Sequence, residues 1–306
     1  MVDKFYSFEK ACSIIPIRKV RSAIWYVLKY CLNRYAPRYY HIHKRTKGIP
    51  ASKYVDKEVI ISLTTFPARM KTLPVVLESI FRQSVAADRV ILWLADSQYP
   101  NKKEVSISLS KYIEYGLEIR YCEDLRSHKK YFFSMKEFPD SLIVTFDDDI
   151  FCPENMLERV LLTYKAHPDC IVSQRAHKFR FDANGELLPY GQCNNLARDC
   201  AEPSLNYIIT GGAGCLYYPG SLSEHVFDKD VLKDKCFLAD DIWLTCMAYI
   251  KGTKVVLTGK NNPEIIDVED NKNNGLAIEN VVNDKNDIQL KAVTNYYNIK
   301  WVKDNE

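Results

Sequence analysis

From about residue 56 onward the chain alternates between short, continuously apolar runs and stretches whose apolar residues recur every three or four positions. Val59-Ile60-Ile61-Ser62-Leu63-Thr64 is β-branched and apolar on both alternating sets of positions, the pattern of a strand buried on both faces. Thr72 and Pro74 then open a predicted helix that buries Val76, Leu77, Ile80 and Phe81. Arg89–Leu94 and Leu117–Cys122 read as the second and third strands, with a helix through Ser106–Tyr115 between them, and Leu142–Phe146 as the fourth. Such strands separated by helices predict an α/β fold with a mainly parallel sheet covered on both faces. Ligands of these sheets gather beyond the carboxyl ends of the strands.

The second half is less regular. Pro153–Ala166 is expected to be helical and Cys170–Gln174 extended, and Asn184-Gly185 signals a hairpin turn between Phe179–Phe181 and Leu187–Tyr190. A strand ending in Gly211-Gly212-Ala213-Gly214 is expected before a helix from about Asp241 to Ile250. The tail from Asn261 is rich in Asn, Asp and Lys and precedes a last helix near Asp287–Tyr296. At the other end, residues 14–32 predict an amphipathic helix with Ser13 as cap and Pro16 in the first turn. Ile17, Val20, Ile24, Val27, Leu28 and Cys31 share one face, with Arg18, Ser22 and Lys29 opposite and Arg21 at the apolar margin. This face suits either packing on the folded body or lying on a membrane surface. No stretch reaches the roughly 18 apolar residues of a spanning helix.

Composition narrows the classes. Hydrophobic residues make up 47% and charged residues 26% of 306, enough for a sizeable core and against wholesale disorder. The net charge of +3 hides an asymmetry, because residues 1–50 hold eleven Lys and Arg against Asp3 and Glu9. This surplus of +9 leaves −6 for the remainder. An acidic body excludes nucleic acid as the expected partner, while a basic head suits an anionic membrane surface. The ten cysteines form no C-x-x-C pair, which argues against a zinc ribbon or thioredoxin-like site. With a start that lacks a signal-peptide layout, they predict a cytoplasmic protein, peripheral on the cytoplasmic face of the membrane if the helix binds lipid.

Chemistry concentrates at Asp147-Asp148-Asp149, directly after the fourth strand. Three adjacent carboxylates repel one another unless a cation or donors compensate them. In an extended backbone Asp147 and Asp149 share one side and Asp148 takes the other. That offers hard oxygen ligands for Mn²⁺ or Mg²⁺, although a solvated acidic turn accounts for the tripeptide equally well. The surroundings favour a site. Thr64, Thr65 and Arg69 follow the first strand, Asp96 ends the second, and Lys130 lies between the third and fourth, so all gather at one sheet edge. Arg and Lys there balance a diphosphate, and Asp96 suits a base N–H or a ribose hydroxyl.

The run Ile61–Arg69, the triple Asp, Gly211–Gly214 and Ala239-Asp240-Asp241-Ile242-Trp243 together resemble bacterial polysaccharide glycosyltransferases of the GT-A fold. The layout is also similar to the β-1,3-galactosyltransferase and fringe enzymes, over roughly residues 57–252. The resemblance implies that Asp149 binds the metal, with Asp147 assisting through the metal, a water or the ribose. It further implies that the Thr65 loop and Asp96 hold the nucleotide base; from their place at the same edge, Lys130 and Asp148 are expected around the donor as well. The donor is then a nucleotide sugar, with UDP the first choice, and the acceptor a glycan or lipid-linked oligosaccharide in cell-surface polysaccharide or capsule synthesis. Some relatives take a further ligand from a histidine near the C-terminus, whereas the last histidine here is His225, so few protein ligands are expected.

Asp240 is expected to cap the later helix and Asp241 to act as a base of low pKa, giving inversion at the anomeric carbon. Gly212, Ala213 and Gly214 serve either a bulge or close approach to a sugar, and Trp243 either acceptor stacking or the core. The expected division is a basic extension at 1–50 and a catalytic domain at 51–260, split near 150 into nucleotide and acceptor halves. A tail at 261–306 closes over the site. Two rivals remain: a sugar-phosphate nucleotidyltransferase, whose usual glycine-rich loop is absent from Thr64–Arg69, and an inactive carbohydrate-binding protein of the same fold.

Overall fold

The apolar runs pair into one seven-stranded sheet in the computed structural model, which describes residues 1–12, 18–43, 54–193, 202–259, 265–268 and 285–303. Its strands are β1 (Val59–Thr64), β2 (Arg89–Ala95), β3 (Leu117–Cys122), β4 (Leu142–Phe146), β5 (Ile171–Ser173), β8 (Ala213–Tyr217) and β9 (Val255–Leu257). Their order is β3-β2-β1-β4-β8-β5-β9. Within it β1 pairs parallel with β2 and β4, β2 with β3, and β5 with β9, while β8 runs antiparallel between β4 and β5. A separate ribbon joins β6 (Ala176–Lys178) to β7 (Tyr207–Ile209). The mainly parallel α/β sheet is therefore as expected.

Helices cover both faces because successive strand residues point to opposite sides. Ile61, Leu63, Leu92, Val144 and Phe146 join α3 (Leu73–Ile80) and α7 (Met156–Ala166) in one core. Ile60, Ile91, Trp93 and Ile143 face the other way, toward Phe133 of α6 (Lys129–Glu137). A further core forms around α10 (Asp240–Lys251), with Trp243, Met247 and Tyr217 fully buried, and α11 (Lys285–Tyr296) packs against it. α4 (Lys102–Ser108) and α5 (Ser110–Glu114) replace the single helix expected over Ser106–Tyr115, and α8 (Tyr190–Cys193) and α9 (Lys229–Lys235) are short. The turn at Asn184-Gly185 forms, with Gly185 at φ +83° and a single bridge from Phe181 to Leu187, but the expected flanking strands do not: Tyr190 opens α8, and β6 pairs with β7.

Two readings of the pattern are corrected. The four residues Gly211–Gly214 do not end a strand; they begin in the turn after β7 and run into β8, which the apolar pattern did not reveal. The N-terminal helix α2 spans Arg18–Ile42, following α1 (Val2–Cys12), and Ser13, Pro16 and Ile17 fall outside the described residues. It packs through Leu32, Ala36 and Tyr40, while Val20 and Val27 of the expected apolar face are exposed. The C-terminal half of α2 meets α3, where Arg82 lies over the Tyr40 ring at 4.9 Å. The N-terminal segment is thus tied into the main core, with Val2 and Tyr6 buried as well. Among the described residues no helix is long and apolar enough to cross a membrane.

Candidate active site

Strand order reverses at β1: β2 and β3 lie on one side of it and β4 on the other. Carboxyl ends at such a switch point are where ligands of parallel sheets collect, and the chain leaves β1 as Thr65 and β4 as Asp147. Asp148 turns inward. Its carboxylate accepts from the Thr65 hydroxyl at 2.5 Å and from Arg69 Nη1 at 2.5 Å. Burial raises its pKa against the opposing pull of Arg69. Asp148 therefore fixes the Thr65 loop and Arg69, and does not face a nucleotide directly as the sequence reading had it. Arg69 also reaches Asp149 Oδ2 at 2.8 Å. Thr64 spends its hydroxyl on the Trp93 carbonyl at 2.8 Å. Asp96 stands exposed at the end of β2, paired with Lys102 at 2.5 Å.

Lys130 is almost wholly buried, and its ammonium lies 2.6 Å from Asp147 Oδ1 and 2.8 Å from Asp240 Oδ2. Burial works against its charge, but Asp147, Asp240 and Asp241 outweigh that and raise its pKa well above the ordinary lysine value. It thus neutralises protein carboxylates, where the sequence reading had it balancing a diphosphate. The same bond corrects Asp240. Ala239, not Asp240, precedes the first turn of α10, and the Asp240 carboxylate makes an ion pair in place of a cap. Burial opposes its charge, yet Lys130 and the nearby His128 hold its pKa low. His128, buried between Tyr131 and the Cys236 carbonyl at 2.9 Å from each, is itself lowered to about 4 by burial.

Asp241 differs from its neighbour. Gly211 N–H donates to its Oδ1 at 2.7 Å, and Oδ2 has no hydrogen bond among the described residues. Burial and the adjacent Asp240 charge push its pKa up to about 7, against the pull of Lys130. The low pKa expected from a helix start is thus overturned, because desolvation and like charge exceed the influence of the helix terminus. Trp243 is corrected to a core residue: it is fully buried and its indole N–H donates to the Val226 carbonyl at 3.1 Å.

Asp147 and Asp149 supply the donor chemistry that a divalent cation requires. Burial and the charge of Asp147 push Asp149 up to about 7 despite Arg69. Lys130 and Arg69 each engage one oxygen of these carboxylates. Asp147 Oδ2 and Asp149 Oδ1 have no hydrogen bond among the described residues, so two hard oxygens are available at one edge. No group of three or more His, Cys, Asp and Glu side chains with metal-binding geometry occurs among the described residues. His225 pairs with Asp228 at 2.8 Å instead. The residues fit a metal held by few protein ligands.

Three contributors escaped the sequence reading. The segment 265–268 lies behind the aspartates: Val268 N–H donates to the Asp149 carbonyl at 2.7 Å, and Asp267 bridges Ile150. The Tyr217 hydroxyl lies beside Gly211 and raises no pattern of its own. Arg175 had a usable signal, since it directly follows a predicted strand at the same sheet edge.

The glycines have a measurable role. Asp147 N–H donates to the Gly212 carbonyl at 2.8 Å, and a Cβ on Gly212 would sit 1.5 Å from Asp147 Oδ2. Gly214 adopts φ +91°, beside the register shift between Thr145 and Phe146. Gly212→Ala is expected to turn the Asp147 carboxylate away from Lys130 and to lower turnover by about 10²-fold, since displacements near 1 Å carry that cost. Steady-state kinetics beside a thermal melt checks this; unchanged turnover would refute it.

No family model and no curated protein sequence matches the chain. Among solved structures it is similar to the mannosyltransferase PcManGT of Pyrobaculum calidifontis in complex with GDP-Man and Mn²⁺, at 13% identity and a TM-score of 0.51, covering 96% of this chain and 77% of that one. It also matches residues 1–349 of TarS from S. aureus at 14% identity and a TM-score of 0.41, over 65% of this chain and 57% of that one. TarS has also been solved with UDP-GlcNAc, and matches there at 12% identity, a TM-score of 0.39, and coverage of 65% and 55%. The chain shares the fold of the mannosyltransferase, a nucleotide-sugar glycosyltransferase.

Proposed function

We propose that this chain moves a sugar from a nucleoside diphosphate sugar to a hydroxyl of a glycan or lipid-linked acceptor, with inversion at the anomeric carbon. The observation that carries this reading is the Lys130 bridge. It ties Asp147, at the donor edge, to Asp240, whose neighbour Asp241 offers an oxygen without a hydrogen-bond partner. The likeness to a mannosyltransferase that binds GDP-Man and Mn²⁺ supports the donor class. UDP sugars are the first donors to test and GDP sugars the second.

Asp147 and Asp149 would hold a Mn²⁺ or Mg²⁺ ion, which when bound neutralises charge on the leaving diphosphate. Arg69, fixed by Asp148, lies beside these carboxylates. Thr65 and Asp96 stand at the strand ends suited to the base and ribose. The acceptor oxygen attacks the anomeric carbon, the bond to the diphosphate oxygen breaks with its electron pair, and Asp241 Oδ2 takes the acceptor proton. A base opposite the leaving group gives inversion.

The test is incubation with Mn²⁺ and a donor panel. Release of nucleoside diphosphate is expected; pyrophosphate release would instead mark a nucleotidyltransferase, and neither would leave a binding protein. Calorimetry should show Mn²⁺ strengthening nucleotide binding in the parent and hardly at all in Asp149→Ala. Equal enhancement in both proteins would refute the metal assignment.

Asp241 carries a pH signature. Its proton is held below about pH 7 and lost above, so kcat/KM is expected to rise with pH through about 7 and then level. Asp241→Asn should lower turnover by about 10²–10⁴-fold and abolish this limb. Retained activity, or a product of retained configuration by NMR, would move the base elsewhere.

The outer face of α2 supports attachment to anionic lipid. Tyr26, Val27, Tyr30 and Tyr35 are exposed there, interleaved with exposed Arg34 and Arg38. Co-sedimentation with phosphatidylglycerol vesicles is expected to weaken in salt and to fall in Arg34→Glu/Arg38→Glu, each basic residue contributing roughly 1 kcal/mol. Deleting residues 1–50 is not a clean test, because Tyr6, Leu32 and Tyr40 belong to the core. Undiminished binding by the charge-reversed variant would refute the attachment.

A further inference from the structure

Arg69, Lys129 and Lys130 at the carboxyl edge of the sheet are each matched by carboxylates. Arg175 is not. It is part-buried, its Nε is excluded from solvent, and its guanidinium makes no hydrogen bond or ion pair among the described residues. Excluding a guanidinium N–H from solvent without an acceptor is costly, and a fold that keeps one next to the loop that holds Asp241 offers it to a ligand.

Position defines which ligand. Arg175 follows β5, two strands from β4 and so away from the donor edge. Its backbone is pinned there: the Thr210 hydroxyl donates to the Arg175 carbonyl at 2.6 Å, as does the Ser173 hydroxyl at 2.5 Å. Thr210 leads directly into Gly211, whose N–H holds Asp241. Arg175 is therefore fixed to the same short loop as the proposed base. The Tyr190 hydroxyl reports both groups. Burial raises its pKa, the Asp241 charge adds to this, and the Arg175 charge opposes it. Tyr190 is held in turn by Asp287 of α11, which accepts its backbone N–H at 2.5 Å.

We infer that Arg175 is the anion-binding residue of an acceptor subsite, and that the acceptor carries a phosphate or carboxylate near the hydroxyl that reacts. The inference rests on the transferase reading for the word acceptor, but the anion site is measurable without it. A planar guanidinium binds either group through paired N–H donors, and Arg175 would fix the acceptor's register against Asp241.

The test uses the full chain, with glycerol 3-phosphate and glucuronate as probes, titrated calorimetrically in the presence of UDP and Mn²⁺ so that the donor edge is filled. The parent is expected to bind at least one probe. Arg175→Gln should bind it at least about tenfold more weakly, Arg175→Lys should recover part, and UDP binding should be the same in all three. Equal probe binding by Arg175→Gln, or no binding of either probe to the parent, overturns the site. A second arm compares slow hydrolysis of UDP-glucose and UDP-glucuronate. A loss in Arg175→Gln confined to UDP-glucuronate assigns the anion to the donor sugar and overturns the acceptor assignment. Hydrolysis unaffected with both donors, together with weakened probe binding, supports it. Were probe binding to depend on Arg175 while UDP failed to bind the parent at all, the anion site would stand and the transferase reading would fall.

Discussion

The site is organised by one buried ammonium. Lys130 reaches Asp147 at the end of β4 and Asp240 at the start of α10, so a single side chain sets the spacing between the two acidic centres. Without that charge, the buried carboxylates of Asp240 and Asp241 would stand uncompensated beside each other and near the half-exposed Asp147, where like charges disfavour ionisation. Buried ion pairs contribute little net stability, but removing one partner strands the other at a cost of about 3–5 kcal/mol. The bridge therefore acts less as glue than as a geometric constraint.

The loop from Thr210 to Gly214 supplies the backbone half of the same constraint. Its groups receive Asp147 N–H and the Thr145 hydroxyl, present Gly211 N–H to Asp241, and tie Thr210 to Arg175. Such approach requires a chain without Cβ atoms at Gly212, where the Asp147 carboxylate fills the space. Because β8 then enters the sheet antiparallel beside β4, the loop passes across the strand ends where ligands collect.

Behind the aspartates, α1 meets the segment 265–268. The Tyr6 hydroxyl donates to the Phe151 carbonyl at 2.7 Å and accepts from Ile266 N–H at 3.0 Å, joining α1 to the segment after the triple Asp and to the tail. Asp3 accepts from Glu154 N–H at 2.9 Å in the same region. The N-terminal helices are thus part of the scaffold behind the site, while the outer face of α2 stays open.

The sequence by itself determined the first four strands, the helix after the first of them and the clustering of Thr65, Arg69, Asp96 and the three aspartates at one edge, but not α6 before the fourth strand. It could do so because buried parallel strands are apolar without interruption, and the connection rules place their carboxyl ends together. It also marked Asp240 and Asp241 as a pair. Only the tertiary structure separated their roles, since that depends on Lys130 reaching Asp240 across 110 residues and on Gly211 reaching Asp241. It likewise turned Asp148 inward, placed Trp243 in the core and revealed β8, whose short run Ala213–Tyr217 carries no distinctive period. Local pattern fixes which residues lie inside or at a strand end; which charge neutralises which is decided by contacts between segments far apart in the chain.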